Sequence, residues 1–475
     1  MLRFLLKPIS NAIGGVGSAL AKLELVDGER ARRVSGLAWP RIVTGLARMS
    51  KSTADVAMVG TALGATAIAG VGYALPFSGL AYMIGGGIAG GTISLVSQRL
   101  AAGLTRQSST AVKVSALFAI GATLPLTLAF WIFAEPLVGI IGRDEETIAF
   151  GADYLRVAST SMSFTALSMV ASRTLLAAND SWSPMVVRAG GALLNIGLNA
   201  VFIFVLDLGV VGAALGTVIS DLAVASAFLW GLTRGSLPGI GWLPVKLDWS
   251  APHWERTTAR HLAKISTPLV LTNIGQHGGQ FPMLAVVSLF GPQVVAAFVI
   301  ALRIRGLMNT PGWGFGLASS SLVGQSLGLN REEEAGAYAQ DALRFAVTVY
   351  VIAAAIVFVL ADPVSRLFVS DPVVVGMTKT LLRVTCLSVV LWGVMNGSLG
   401  PLRASGDTIW PFVGQMIGLF GLALPAAYLG AVTSLGLAGL YLALLLETGV
   451  PAAVTYYRFR SNRWKLVSRA YRPAA

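Results

Sequence analysis

Cysteine is nearly missing from this chain: Cys386 is the only one in 475 residues. One thiol cannot close an intramolecular disulfide or build a thiolate metal cluster. Histidine is almost as scarce, and His253, His261 and His277 lack the spacing of metal ligands. Charge is the third shortage, at 12% of residues against about 25% in soluble globular chains. No nucleophile–base arrangement stands out, so an enzyme is not expected and no cofactor is implied. Apolar residues fill the space instead, at 55% with a mean hydropathy of +0.72. Runs such as 118–133, 346–360 and 435–454 are unbroken, where a membrane β-barrel would alternate. The chain therefore reads as an all-α polytopic membrane protein.

The chain also repeats itself. Shifted by 227 residues it aligns without a gap: Glu135-Pro136 falls on Asp362-Pro363, and Leu155-Arg156-Val157 on Leu382-Arg383-Val384. Asp180 and Pro184 meet Asp407 and Pro411, Gly64 meets Gly291, Gln98 meets Gln325, and Gly209 and Gly212 meet Gly436 and Gly439. Twelve helices are predicted, near 37–60, 67–98, 113–133, 149–177, 184–206, 209–231, 264–290, 294–327, 338–360, 376–404, 411–431 and 435–457. Six spans per copy is an even number, so the two lobes enter the membrane from the same side and form a parallel repeat. The expected domains are an amino-terminal tail with an interfacial amphipathic helix (1–36), a first lobe (37–231), a linker (232–263), a second lobe (264–457) and a basic tail (458–475). The linker, with Pro238, Gly239, Gly241, Pro244 and Pro252, reads as an irregular tether.

The net charge of +13 could suggest nucleic acid, but its distribution argues otherwise. Arg3, Lys7, Lys22, Arg30, Arg32 and Arg33 lead the chain, and Arg458, Arg460, Arg463, Lys465, Arg469 and Arg472 end it. Arg99, Arg106 and Lys113, and Arg234, Lys246, Arg256 and Arg260, occupy alternate connections, whereas the intervening ones are neutral or hold Asp144, Glu145 and Glu146. This positive-inside pattern places both termini in the cytoplasm. The expected partners are the lipid bilayer of the plasma membrane and a small amphiphilic molecule, with no nucleic acid and a monomeric chain.

Ionisable residues inside spans are costly and need a partner or a wet cavity. The first span carries Arg41, Arg48, Lys51 and Asp55, the last three of them on one face. Asn195 and Asn199 lie one turn apart on the fifth span, Thr217 and Asp221 one turn apart on the sixth. Arg303 and Arg305 lie on the eighth, Glu447 on the twelfth. Asn199 and Thr217 sit roughly 10–12 Å from the outer ends of their helices, by rise per residue. Two polar layers follow: Asp55, Asn199 and Thr217, then Lys51, Asn195 and Asp221. A carboxylate, amide oxygens and a hydroxyl suit sodium, or a proton on the carboxylate. The bland reading is packing between helices. The second copy argues against it, with Pro282, Leu422, Ala426, Leu444 and Thr448 at the matching positions. The polar site is expected in the first copy alone.

These residues resemble a known family. Ala54-Asp55-Val56-Ala57-Met58-Val59-Gly60, with Gly64 and Ser97-Gln98-Arg99-Leu100, is similar to the first two helices of MATE (multidrug and toxic compound extrusion) transporters. Asn195 to Ile203, then Gly209-Val-Val-Gly212-Ala-Ala, resembles that family's fifth and sixth helices. Pro40 matches its helix-1 proline, expected to kink that helix. The resemblance covers nearly the whole chain from about residue 28. It implies export of organic cations and other amphiphiles in exchange for sodium or protons, by alternating access between two six-helix lobes. It also implies a cation site, with Na+ as one candidate ion, at Asp55, Asn195, Asn199 and Thr217. The family usually has aspartate where Asn199 stands, and Asp221 is a candidate replacement one turn deeper. Lys51 has no counterpart in the family pattern. It either faces Asp55 as a modulating charge or pairs with Asp221.

The leading reading is thus a cation-coupled antiporter for drugs or amphiphilic metabolites. Phe77, Tyr82, Trp313 and Phe315 are candidate cleft aromatics, unless they only pack or face lipid. Gln276, His277 and Gln280 are the polar groups of the seventh span, which lacks the acid some relatives use. Arg303 and Arg305 either snorkel outward or line the cleft, and with Arg48 lining it, anionic or zwitterionic substrates become plausible. The alternative is a lipid-linked precursor flippase of the same general architecture. A major-facilitator transporter lacks its basic, aspartate-containing loop signature here.

Overall fold

A computed structural model describes residues 7–142, 144–368 and 371–471. Arg3 and Arg472, invoked above for the tails, lie outside the described residues. The elements run α1 (Lys7–Lys22), α2 (Gly28–Ala101), α3 (Thr105–Ile132), α4 (Ala134–Gly139), α5 (Glu145–Ser159), α6 (Met162–Ala177), α7 (Trp182–Ala200) with a π-helical turn at Val201–Val205, and α8 (Gly209–Arg234). A two-stranded hairpin follows, β1 (Ser236–Leu237) against β2 (Gly241–Trp242). Then come α9 (Arg256–Gly278), α10 (Gln280–Ser288), α11 (Pro292–Gly328), α12 (Glu332–Val359), α13 (Ala361–Phe368), α14 (Pro372–Ser405), α15 (Ile409–Met416) with a π-helical stretch at Ile417–Ala423, α16 (Leu424–Val432), α17 (Leu437–Arg460) and α18 (Arg463–Arg469).

The repeat is written in the backbone. Left-handed φ recurs at Gly64 and Gly291, Gly103 and Asn330, Asn179 and Gly406, Gly209 and Gly436, and Gly235 and Asn462, each pair one repeat apart. These positions end or join helices, where a left-handed residue lets the chain turn at once and where glycine and asparagine carry the least strain. Asp144 and Asp371, also repeat mates, cap α5 and α14 by accepting from the Thr147 and Val373 amides at 2.9 Å each. Burial of such spans against one another gives the all-α fold of two repeated lobes.

Nine helices among the described residues are long and apolar enough to cross a membrane. The other three expected spans are the polar or broken ones. The first arm of α2 carries Arg41, Arg48, Lys51 and Asp55. The segment read as one helix over 149–177 is two, α5 and α6, parted at Thr160-Ser161. The seventh span starts at Arg256 rather than 264 and divides between α9 and α10. Pro40 lies within helix; the non-helical residue of α2 is Gly64, at φ 83 and ψ −170.

The chain forms two compact units, residues 43–270 and residues 1–42 with 271–475. Their limits fall inside helices for a visible reason. The start of the chain is tied to α12: Arg30 Nε meets Asp341 Oδ2 at 2.5 Å and Arg33 donates to the Tyr338 hydroxyl at 2.9 Å. A Cβ at Gly314 would stand 2.7 Å from the Ala38 carbonyl oxygen, so glycine permits the close approach of α2 to α11. At the other limit the linker belongs to unit 43–270. Lys113 Nζ donates to the carbonyls of Trp249 and Ala251 at 3.0 and 2.7 Å, and Asp248 N donates to Ser109 Oγ at 3.0 Å. The linker is therefore a hairpin and a clamped loop rather than an irregular tether. Each unit has its own apolar core, around Val59, Leu155, Met162 and Ile203 in one and Phe298, Tyr350, Leu382 and Val389 in the other.

Candidate functional site

Within unit 43–270, three elements bring the singled-out polar groups together. Asp55 projects from the first arm of α2, Asn195 and Asn199 from α7, and Thr217 and Asp221 from α8. Asn199 Nδ2 donates to Asp55 Oδ1 at 2.8 Å and lies 3.5 Å from Asn195 Oδ1. Asn195 Nδ2 donates to Thr217 Oγ1 at 3.2 Å, and that hydroxyl donates to the Ala213 carbonyl at 3.2 Å. Both asparagines are fully buried. Each one-turn spacing on its helix puts two donors on the same face, and the antiparallel run of α7 and α8 brings the faces level.

One atom in this set is left over. Asn199 Oδ1 is buried and has no hydrogen-bond partner. It rests against Gly216, where an added Cβ would stand 1.8 Å from it. A buried polar atom without a partner is rare and costs about 1–3 kcal/mol. Oxygen atoms of Asp55, Asn195, Asn199 and Thr217 make a hard donor set suited to sodium. The same set suits a proton, because Asp55 is the only acid in it.

Asp221 stands outside this chain of bonds. It accepts from Thr165 Oγ1, on α6, at 2.7 Å, yet lies near enough to Asp55 for the two charges to repel. Lys51 attracts Asp55 without touching it. Among the described residues it forms no ion pair with either acid, so it stands near Asp55 as an unbonded charge. Three groups escaped the sequence reading. Tyr154, buried on α5, has Thr217, Asp55 and Asp221 as polar neighbours. Thr165 holds Asp221, and Gly216 makes room for the Asn199 amide. Comparing the copies would have exposed all three, since their repeat mates are Leu381, Trp392 and Ala443.

The profile of the MatE family matches residues 40–201 and 268–429, once in each copy. This chain belongs to the MatE family. A probable multidrug resistance protein NorM of Thermotoga maritima is 25% identical over 351 residues, 70% of this chain and 71% of that protein. The transporter YisQ of Bacillus subtilis is 24% identical over 438 residues, covering 90% and 94%. Among solved structures, a MATE in the straight conformation matches with a TM-score of 0.83 at 22% identity, over 92% of this chain and 97% of that one. A MOP superfamily transporter from Pyrococcus furiosus, noted for the reverse polarity of its binding pocket, matches at 0.83 with 21% identity, covering 92% and 96%. The structural likenesses speak to the fold. The protein is thus a multi-pass membrane transporter of the MatE family.

The second unit of this MatE chain is less apolar than its repeat mates suggested. Arg305 neither snorkels nor lines an open surface. It is buried on α11 and grips Glu447 of α17 with both Nη atoms, at 2.8 and 3.1 Å, under the ring of Trp392 at 5.1 Å. Asn309, Tyr350 and Asn396 form another buried set: the Tyr350 hydroxyl donates to Asn309 Oδ1 at 2.7 Å, and Asn396 Nδ2 reaches both, at 3.3 and 3.1 Å. Polar chemistry exists in both copies, then, at positions the repeat does not share. Of the candidate cleft residues, Phe315 is fully buried against Phe345 at 4.8 Å and packs rather than lines. Phe77 meets Phe130 edge-on at 5.8 Å, and Arg48 lies over Tyr82 at 5.4 Å. Arg303, His277, Gln280 and Trp313 are exposed, and Gln276 is half-buried.

Proposed function

We propose that this transporter exports drugs or amphiphilic metabolites in exchange for a cation, sodium or proton, by alternating access, with both termini cytoplasmic. The observation that carries the coupling is the Asp55–Asn199 hydrogen bond of 2.8 Å, set beside an Asn199 oxygen that lacks any donor. An ionised Asp55 accepts from the amide. A protonated Asp55 must donate instead, and the unpartnered Asn199 Oδ1 is the acceptor one amide rotation away. A bound sodium would use the same oxygen directly. Either way, loading Asp55 rearranges the contacts among α2, α7 and α8, which is how an ion can bias a helix bundle toward one of its states. The names of relatives such as NorM support the drug-export half of this reading.

The test is efflux from proteoliposomes under separate sodium and proton gradients. One inward gradient should drive efflux of an amphiphilic dye, and Asp55→Asn should uncouple it. Equal efflux with no gradient, or unchanged coupling in the variant, would overturn the assignment.

A further inference from the structure

One charged side chain in unit 43–270 has no task in this scheme. Arg188 lies on α7, about two turns before Asn195. It points into the bundle: Nη2 donates to Ser168 Oγ of α6 at 3.2 Å, and the guanidinium lies 6.0 Å from the centre of the Phe228 ring of α8. Its Nε is buried without an acceptor. Among the described residues no carboxylate forms an ion pair with it. Arginine inside a span is normally paired, and a guanidinium offers five N–H donors, of which the bond to Ser168 uses one.

Its charged neighbours are Asp221, which attracts it, and Arg48, which repels it; the neutral Tyr82 also lies close by. Asp221 is held elsewhere, by the Thr165 hydroxyl at 2.7 Å. Ser168 is fixed in turn by donating to the Thr165 carbonyl at 2.8 Å. The α6 turn from Thr165 to Ser168 therefore keeps acid and guanidinium apart while aiming both. Phe228 lies beside the guanidinium, and Nε is left without an acceptor. Around this group of linked charges Arg48, Lys51 and Arg188 outnumber Asp55 and Asp221, a balance that suits a ligand with negative charge. The repeat mate of Arg188 is Gln415, so the second copy offers no such charge.

We propose that Arg188, oriented by Ser168 and flanked by Tyr82, binds the oxyanion of an amphiphilic substrate, namely a carboxylate on an aromatic body. This rests on the transport reading above and adds the substrate class. Planar two-point recognition of carboxylate is what arginine does better than lysine. The ligand acid supplies the partner that Asp221 is prevented from becoming.

The test uses a matched pair of dyes, rhodamine B, which carries a free carboxylate, and its methyl ester, which does not. Binding to the purified full chain in detergent is followed by fluorescence anisotropy. The wild type should prefer rhodamine B. Arg188→Gln should lose about tenfold or more of that affinity, as a charged hydrogen bond warrants, while ester binding stays put. Arg188→Lys, which keeps charge without the fork, should recover only part of the preference. Ester binding is the internal check that the variant still folds. Wild-type failure to prefer the free acid, or an equal loss for both dyes, would overturn the proposal. So would displacement of rhodamine B by phosphatidylglycerol only when Arg188 is present, which would assign the site to a lipid headgroup. Because binding needs no gradient, a failed efflux experiment with intact dye discrimination would refute the coupling scheme and leave this site standing.

Discussion

Gly216→Ala puts the Asn199 cradle to a quantitative test. The added Cβ would lie 1.8 Å from Asn199 Oδ1, 3.0 Å from its Cγ and 3.2 Å from its backbone N. Carbon–oxygen contacts settle near 3.3 Å, so the carboxamide must retreat by about 1.5 Å. The bond from Asn199 Nδ2 to Asp55, now 2.8 Å, does not survive such a move. Losing a hydrogen bond to a charged group costs about 1.5–3 kcal/mol, and overpacking a full interior adds about 1–3 kcal/mol. The single variant should therefore lose several kcal/mol of stability together with its ion coupling. Thermal unfolding in detergent and gradient-driven efflux in proteoliposomes read the two effects separately. Asn199→Ala added to Gly216→Ala reproduces the pair the second copy carries, Ala426 and Ala443. This double variant should regain most of the stability and none of the coupling. A Gly216→Ala protein with wild-type melting and wild-type coupling would refute the reasoning, as would a double variant no more stable than the single.

Asp55→Asn should abolish coupled transport at nearly unchanged melting temperature; full gradient-driven efflux would remove Asp55 from the mechanism. Lys51→Ala should shift the ion or pH dependence of transport, since its charge attracts Asp55 without touching it, and an unchanged profile would return Lys51 to a solvated face. Arg305→Met and Glu447→Gln should each destabilise by about 3–5 kcal/mol, because each leaves a buried charge alone. The double variant should lose much less than the two singles added together, and simple additivity in a thermal-unfolding cycle would show that the pair is not coupled.

The repeat and the helical class were legible because both rest on local signals: hydropathy, turn residues and a constant offset. The glycine and asparagine turns at Gly64 and Gly291, or Asn179 and Gly406, needed only the offset to be located. Asp55, Asn199 and Thr217 could be named because depth counts put them in one layer, with Asn195 one turn deeper on the face of Asn199; the family resemblance joined the four. What escaped depends on side chains meeting across the bundle. Nothing local announces that Arg305 finds Glu447 142 residues later, so a snorkelling or cleft-lining arginine was the natural expectation. Arg188, Thr165 and Tyr154 were passed over because single polar residues in apolar helices look alike until their partners are known. The conclusion that the second copy is apolar failed for a related reason. It tested only the positions occupied in the first copy, while the second copy placed its polar groups at other positions.

The Arg305–Glu447 pair also has an electrical consequence. Carrying one elementary charge across a membrane at 100 mV involves about 2.3 kcal/mol of work. Here two opposite charges sit 2.8 Å apart, so the field does almost no net work on them when they move together. Voltage can act on this transporter only through charges that lack such a twin. Under the proposed coupling, Asp55, which would change charge when its ion arrives, is where membrane potential would enter the cycle.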